Sequence, residues 1–112
     1  MLPKEKRLNL KKDFKWVSSG KRLDTRFAKL FIKTGGNKNP RIGIAVSSKV
    51  FKKATDRNKA KRVISKSFES LYPGLPNLIN IVALPKEGVI NVKSEDVLKD
   101  LDVALRNEKF ID

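Results

Sequence analysis

The run Arg57-Asn58-Lys59-Ala60-Lys61-Arg62 puts four cations and one carboxamide into six residues, with Lys49, Lys52 and Lys53 just before it and Lys66 just after. Arginine offers planar, bidentate donors to phosphate oxygens, and lysine offers a mobile point charge. Asn58 can donate to a phosphate or accept from a 2′-hydroxyl. So many like charges in a short run repel one another unless a polyanion neutralises them. The chemistry available to this set is phosphate binding.

A second set interleaves aromatics with cations. Phe14 and Trp16 stand among Lys11, Lys12 and Lys15, and Phe27 and Phe31 stand among Arg26, Lys29 and Lys33. Single-stranded nucleic acid is held by a basic groove and by stacking on aromatic rings, worth about 1–3 kcal/mol per base. Phe14 and Phe31 fit such a groove and fit core packing equally well; Phe27 reads first as core, and Phe68 as core.

Nucleophilic and metal chemistry is scarce. The chain has no cysteine and no histidine, which removes disulfides, thiolate or imidazole zinc sites, and Ser-His or Cys-His machinery. Glu95, Asp96 and Asp100 read as a solvated helix face matched to a helix N-terminus. A two-metal nuclease needs carboxylates converging from separate elements. No catalytic residue, metal ligand or protein-bound cofactor is expected.

The net charge of +14 is unevenly placed. Residues 1–40 hold 12 basic and 3 acidic side chains, residues 41–70 hold 9 and 2, and residues 71–112 hold 5 and 7. A field confined to the first 70 residues is the footprint of a polyanion partner. No apolar run approaches a membrane span, and the charged N-terminus lacks a secretory h-region. A cytoplasmic location is expected, with no membrane partner and no small-molecule ligand.

The elements that must position these groups follow from periodicity. The 112 residues suit one domain, preceded by a basic arm over residues 1–9. Leu10, Phe14 and Val17 at i, i+4, i+7, with Asn9 as N-cap, predict a helix over 10–17. Alternation predicts a strand over 26–34, and the Gly35-Gly36-Asn37-Lys38-Asn39-Pro40 stretch reads as a hairpin-type loop. The strand predicted over 41–48 has one face of small residues, Gly43, Ala45 and Ser47, open to close approach. Asp56 is the expected N-cap of a long helix to residue 71, with Ala60, Val63, Ile64, Ser67, Phe68 and Leu71 inward. Asn58, Arg62, Ser65 and Lys66 then face outward, flanked by Arg57 and Lys61 on one side and Lys59 on the other. Residues 78–84 read as a buried central strand, 89–92 as a short edge segment, and 94–107 as a closing helix. The order α-β-β-α-β-α makes a single-domain α+β sandwich, a small sheet with helices packed on it.

Residues 41–68, from Arg-Ile-Gly-Ile-Ala-Val-Ser-Ser-Lys through Arg-Asn-Lys-Ala-Lys-Arg to Ser-Phe, resemble the signature of the bacterial ribonuclease P protein family. The Arg7-Leu8…Asp13-Phe14 and Gly20…Arg26-Phe27 segments are similar to its opening helix and first strand. The resemblance implies that the basic helix joins parallel strands by a left-handed crossover, against the usual rule. It implies that this helix contacts a catalytic RNA, and that a cleft beside the first helix, with Phe14 and Phe31, takes the 5′ leader of precursor tRNA. The protein would be a non-catalytic subunit of the ribonucleoprotein endonuclease, the RNA hydrolysing the phosphodiester with Mg2+. Ser18, Ser48, Ser65 and Leu84 depart from the family pattern. The alternative is a general RNA-binding module, a ribosomal protein or RNA chaperone, with no part in cleavage.

Overall fold

The structure is a computed structural model and describes residues 2–36 and 38–111; Met1 of the arm and Asn37 of the expected loop lie outside them. Helix α1 (Leu10–Ser18) begins where Asn9 accepts the Lys12 N–H through Oδ1 at 3.3 Å. Strands β1 (Lys21–Asp24), β2 (Ala28–Thr34) and β3 (Arg41–Ile44) follow. Helix α2 (Ala54–Leu71), strand β4 (Ile79–Pro85) and helix α3 (Ser94–Asn107) complete the chain.

Strand β1 is absent from the order expected above, which becomes α-β-β-β-α-β-α. Its sequence Lys21-Arg22-Leu23-Asp24 carries one apolar residue, because an edge strand buries only part of one face. Residues 26 and 27, expected in the next strand, instead form the β1–β2 turn. Thr25 Oγ1 accepts the Ala28 N–H at 3.0 Å, and Asp100 on α3 accepts the backbone N–H groups of Arg26 and Phe27 at 3.2 and 3.0 Å. Asp100 is therefore a clamp on a hairpin turn and not simply part of a solvated face.

The sheet order is β1-β2-β4-β3, with β3 and β4 parallel and the other pairs antiparallel. Consequently the stretch after Gly35 is not a hairpin, since β4 lies between β2 and β3. The central position of β4 explains its nearly continuous apolar sequence. Residues 89–92 form no edge segment; Glu87–Asn91 is a 3-10 turn that buries Val89 in the core.

Register separates the two faces. Leu23, Leu30, Ala83 and Ile44 align across the sheet, as do Ile32, Ile81 and Ile42, and these face the main core with Ile64 and Phe68 of α2 and Val97, Leu101 and Leu105 of α3. The opposite face carries the rows Arg22–Phe31–Val82–Gly43 and Asp24–Lys29–Leu84, and there α1 packs Leu10, Phe14 and Val17 onto Val82, Phe31 and Leu84. Gly43 makes this possible. A Cβ at that position would lie 2.6 Å from Leu10 Cδ2 and 3.2 Å from Leu8 Cβ. The partner that closely approaches this small-residue face is the chain's own N-terminal region.

The arm is docked. Leu2 and Leu8 are buried, the Leu8 N–H donates to Ile42 O at 3.0 Å, and Arg7 bridges Ile42 along the outer edge of β3. The Lys6 ammonium sits 4.4 Å from the Tyr72 ring centroid, while the Tyr72 hydroxyl donates to Pro40 O at 2.8 Å. Burial, and secondarily the Glu5 carboxylate, raise the Tyr72 pKa above the ordinary tyrosine value. The unfolded chain thus loses this proton first as pH rises, so the contribution of Tyr72 is complete below about pH 10 and declines above it. Tyr72→Phe is expected to cost about 0.5–1.5 kcal/mol at neutral pH and to flatten the alkaline fall in stability, both readable from urea melts across pH.

Candidate nucleic-acid interface

Helix α2 starts at Ala54, two residues before the expected cap at Asp56, with Lys53 at the N-cap position. The Arg57 guanidinium accounts for the early start. It donates to Phe51 O and Lys52 O at 2.9 and 3.2 Å, and so draws the preceding loop against the first turn. Arg57 is accordingly half-buried, and part of its donor capacity is used inside the molecule. Asn58, Lys59, Lys61, Arg62 and Lys66 are exposed, as are Lys49, Lys52 and Lys53. Asn58, Lys61 and Arg62 share one surface concavity with Thr55, the i, i+3 and i+4 spacing having brought them to one flank.

Ser65 departs from its expected outward position and is only 2% exposed. It lines a groove with Leu2, Leu8, Ile42 and Gly43, where the docked arm covers that side of α2. The rim of this groove carries Arg7, Lys11 and Lys61. Cations of the arm, of α1 and of α2 therefore meet across the edge of β3, although Lys11 and Lys61 lie far apart in the sequence. Periodicity within a single element carries no trace of that meeting.

On the α1 side of the sheet, Phe14 and Phe31 are partly buried members of one apolar cluster with Leu84. Lys29 lies beside Leu84 in the register, and Lys11, Lys12 and Lys15 project from exposed positions of α1. Arg22, opposite Phe31 on β1, adds a further exposed cation to the same face. Sequence reasoning missed it together with its strand; a cation beside a lone leucine was the only signal. Lys29 and Leu84 form the next row of this face beside Phe31–Val82, both partly buried, with Leu84 in the same cluster as the aromatic pair.

Two expected members of this groove lie elsewhere. Trp16 follows Phe14 by two residues, about 200° around a helix, and sits over the Gly35-Gly36 turn. Arg26 is on the α3 side, its guanidinium 5.4 Å from the Phe27 ring centroid and near Asp96 and Asp100. Phe27 itself belongs to the main core, as expected, and lies in the β1–β2 turn ahead of β2. Lys33 shares the Phe31 face but donates to Ser19 Oγ at 2.8 Å.

Among the described residues no three acidic side chains are grouped to hold a metal ion, and no helix is long and apolar enough to cross a membrane.

Comparison with known proteins bears on the whole arrangement. The Ribonuclease P family profile matches residues 2–109. The ribonuclease P protein component of Chlamydia muridarum is 37% identical over 109 residues, spanning 93% of this chain and 90% of that protein. The component from Pseudoalteromonas atlantica is 42% identical over 59 residues, which is 53% of this chain and 48% of that relative's length. The solved structure of the RNase P protein from Thermotoga maritima superposes with a TM-score of 0.78 at 30% identity, over 89% of this chain and 98% of that one.

Proposed function

The chain belongs to the ribonuclease P protein family, and on that premise we propose that it is the RNA-positioning subunit of an endoribonuclease that removes the 5′ leader of precursor tRNA. In this reading α2 holds the catalytic RNA, with Asn58, Lys61, Arg62 and Lys66 reaching phosphates and 2′-hydroxyls from the exposed flank. Arg57 acts from the same turn while bracing the loop that carries Lys52 and Lys53. The single-stranded leader lies along the groove of Phe14 and Phe31, with Lys29, Lys15 and Arg22 on its phosphates.

The observation that carries the reading is the meeting of the two cation sets at the β3 edge, where Lys11 and Lys61 rim one groove. A continuous basic surface lets one protein hold two RNAs in a fixed relation. Such positioning converts a loose encounter into an oriented one, which is a large part of catalytic advantage. The lysines and arginines of this surface suit phosphate binding, with planar or mobile donors to its oxygens. In this reading bond cleavage and the Mg2+ it uses belong to the RNA subunit, as the resemblance to the family implies.

The test is reconstitution. Purified protein is expected to leave precursor tRNA intact, and addition of the cognate RNA to restore leader removal at low magnesium. Cleavage by the protein alone would overturn the assignment, and binding to many structured RNAs without any effect on maturation would favour a general RNA-binding module. Within the reconstituted enzyme, Phe14→Ala should cost about 1–3 kcal/mol of affinity for leader-bearing substrate and spare substrate lacking a leader. Equal weakening of both would remove Phe14 from the leader groove.

A further inference from the structure

Trp16 is 41% exposed and belongs to neither apolar cluster, although it is the chain's single tryptophan and sits at the centre of a basic region. Its surroundings are built. A Cβ on Gly35 would lie 3.7 Å from Trp16 Cη2 and Cζ2, so the six-membered ring abuts the turn backbone. Gly35 and Gly36 have φ of 141° and 68°, values that favour glycine, and their lack of side chains keeps the space beside the ring open. The buried Asn80 amide donates to Lys33 O and Gly35 O at 3.2 and 3.3 Å and fixes that turn. The Lys33 ammonium stands 5.1 Å from the indole centroid while held by Ser19 Oγ, which restrains the ring from the strand side. Lys12, Asp13 and Arg41 complete the wall of the concavity.

From this geometry we infer that Trp16 forms a second stacking site, separate from the Phe14–Phe31 groove, for one unpaired nucleotide of bound RNA. The indole takes the base, Arg41 and Lys12 take its phosphate, and Asp13 accepts hydrogen bonds from the base edge. A carboxylate rewards bases with adjacent N–H donors, so guanine is preferred over uracil. The same negative charge beside the ring opposes a second phosphate, which limits the site to a single nucleotide. The site rests on the reading of the chain as an RNA-binding protein. It adds a contact on the opposite flank of α1, reached by the leader or by the catalytic RNA.

Because Trp16 is the chain's single tryptophan, its fluorescence reports this site alone. The full chain is titrated with a dye-labelled single-stranded oligonucleotide containing guanine, reading dye anisotropy for overall binding and tryptophan emission for stacking. Saturable quenching of about twofold or more is expected from a base stacked on the indole, and none with an abasic strand of equal length and charge. Arg41→Ala should weaken the quenching constant several-fold, whereas Lys99→Ala, at an exposed position of α3, should leave it unchanged. Parallel titrations with leader-bearing precursor tRNA, mature tRNA and catalytic RNA identify which RNA delivers the nucleotide. Anisotropy that reports binding while emission stays constant, or equal quenching by the abasic strand, overturns the Trp16 site alone. No binding in the anisotropy channel overturns the RNA-binding reading with it.

Discussion

Lys61→Glu combined with Arg62→Glu is expected to weaken binding of the catalytic RNA by about a hundredfold at low salt. If roughly six phosphates are contacted, the log affinity of the parent protein should fall with log salt by a slope of about −4 to −5. Each phosphate that is no longer neutralised takes about 0.7–0.9 off the magnitude of that slope, so the double variant should fall to about −3. Reversed charges add repulsion where attraction has gone, which is why the deficit exceeds that of the two alanines. Both side chains are exposed on α2, and the fold should tolerate the change; thermal melts check that. The matched control is Lys93→Glu with Lys99→Glu, the same change in net charge at exposed positions beside and on α3. If both variants weaken binding equally, net charge rather than the α2 surface governs it.

Gly20→Ala is expected to destabilise the protein by about 1–3 kcal/mol and to loosen α1 from the sheet. Gly20 joins α1 to β1, and a Cβ there would lie 2.3 Å from the carbonyl oxygen of Ile32 and 2.9 Å from Lys33 Cβ. The obstacle is backbone within a paired strand, Lys21 opposing Ile32 in the register, so rotation of a side chain cannot relieve it. Either the β1–β2 ladder or the seat of α1 must shift, and the seat holds Phe14 against Phe31. The variant should therefore lower both the urea midpoint and the discrimination between substrates with and without a leader. Gly88→Ala serves as control, because its Cβ would meet only Phe27 Cδ1 at 4.0 Å. A Gly20→Ala protein as stable as the Gly88→Ala protein would show that the junction has slack.

The elements with strong periodicity were legible. The amphipathic stripe of α2, the Asn9 cap of α1 and the apolar run of β4 each depend on neighbours within a few residues. Each lies within a residue or two of its expected place apart from the early start of α2. Strand β1 was not legible, since an edge strand with one leucine has no pattern to detect. The contribution of Asp100 was hidden for another reason. Its partners are backbone N–H groups at the far end of the sequence, and backbone groups leave no mark on a sequence.

The same division runs through the candidate interface. Charge placement, the absence of histidine and cysteine, and the helical spacing of Asn58, Lys61 and Arg62 are local or compositional properties. From them alone follow the polyanion partner and the lack of a histidine or cysteine nucleophile. Which cations face one another was decided by the tertiary structure. Inserting β4 between β2 and β3 placed β3 at an edge, the arm docked on that edge, and Lys11 came to share a groove with Lys61. Docking of the arm also covered Ser65, and the angular step from residue 14 to 16 sent Trp16 to the far flank of α1. The reason is physical: local spacing determines which side chains share a face, whereas strand order and helix seating depend on long-range burial, which no window of the sequence contains.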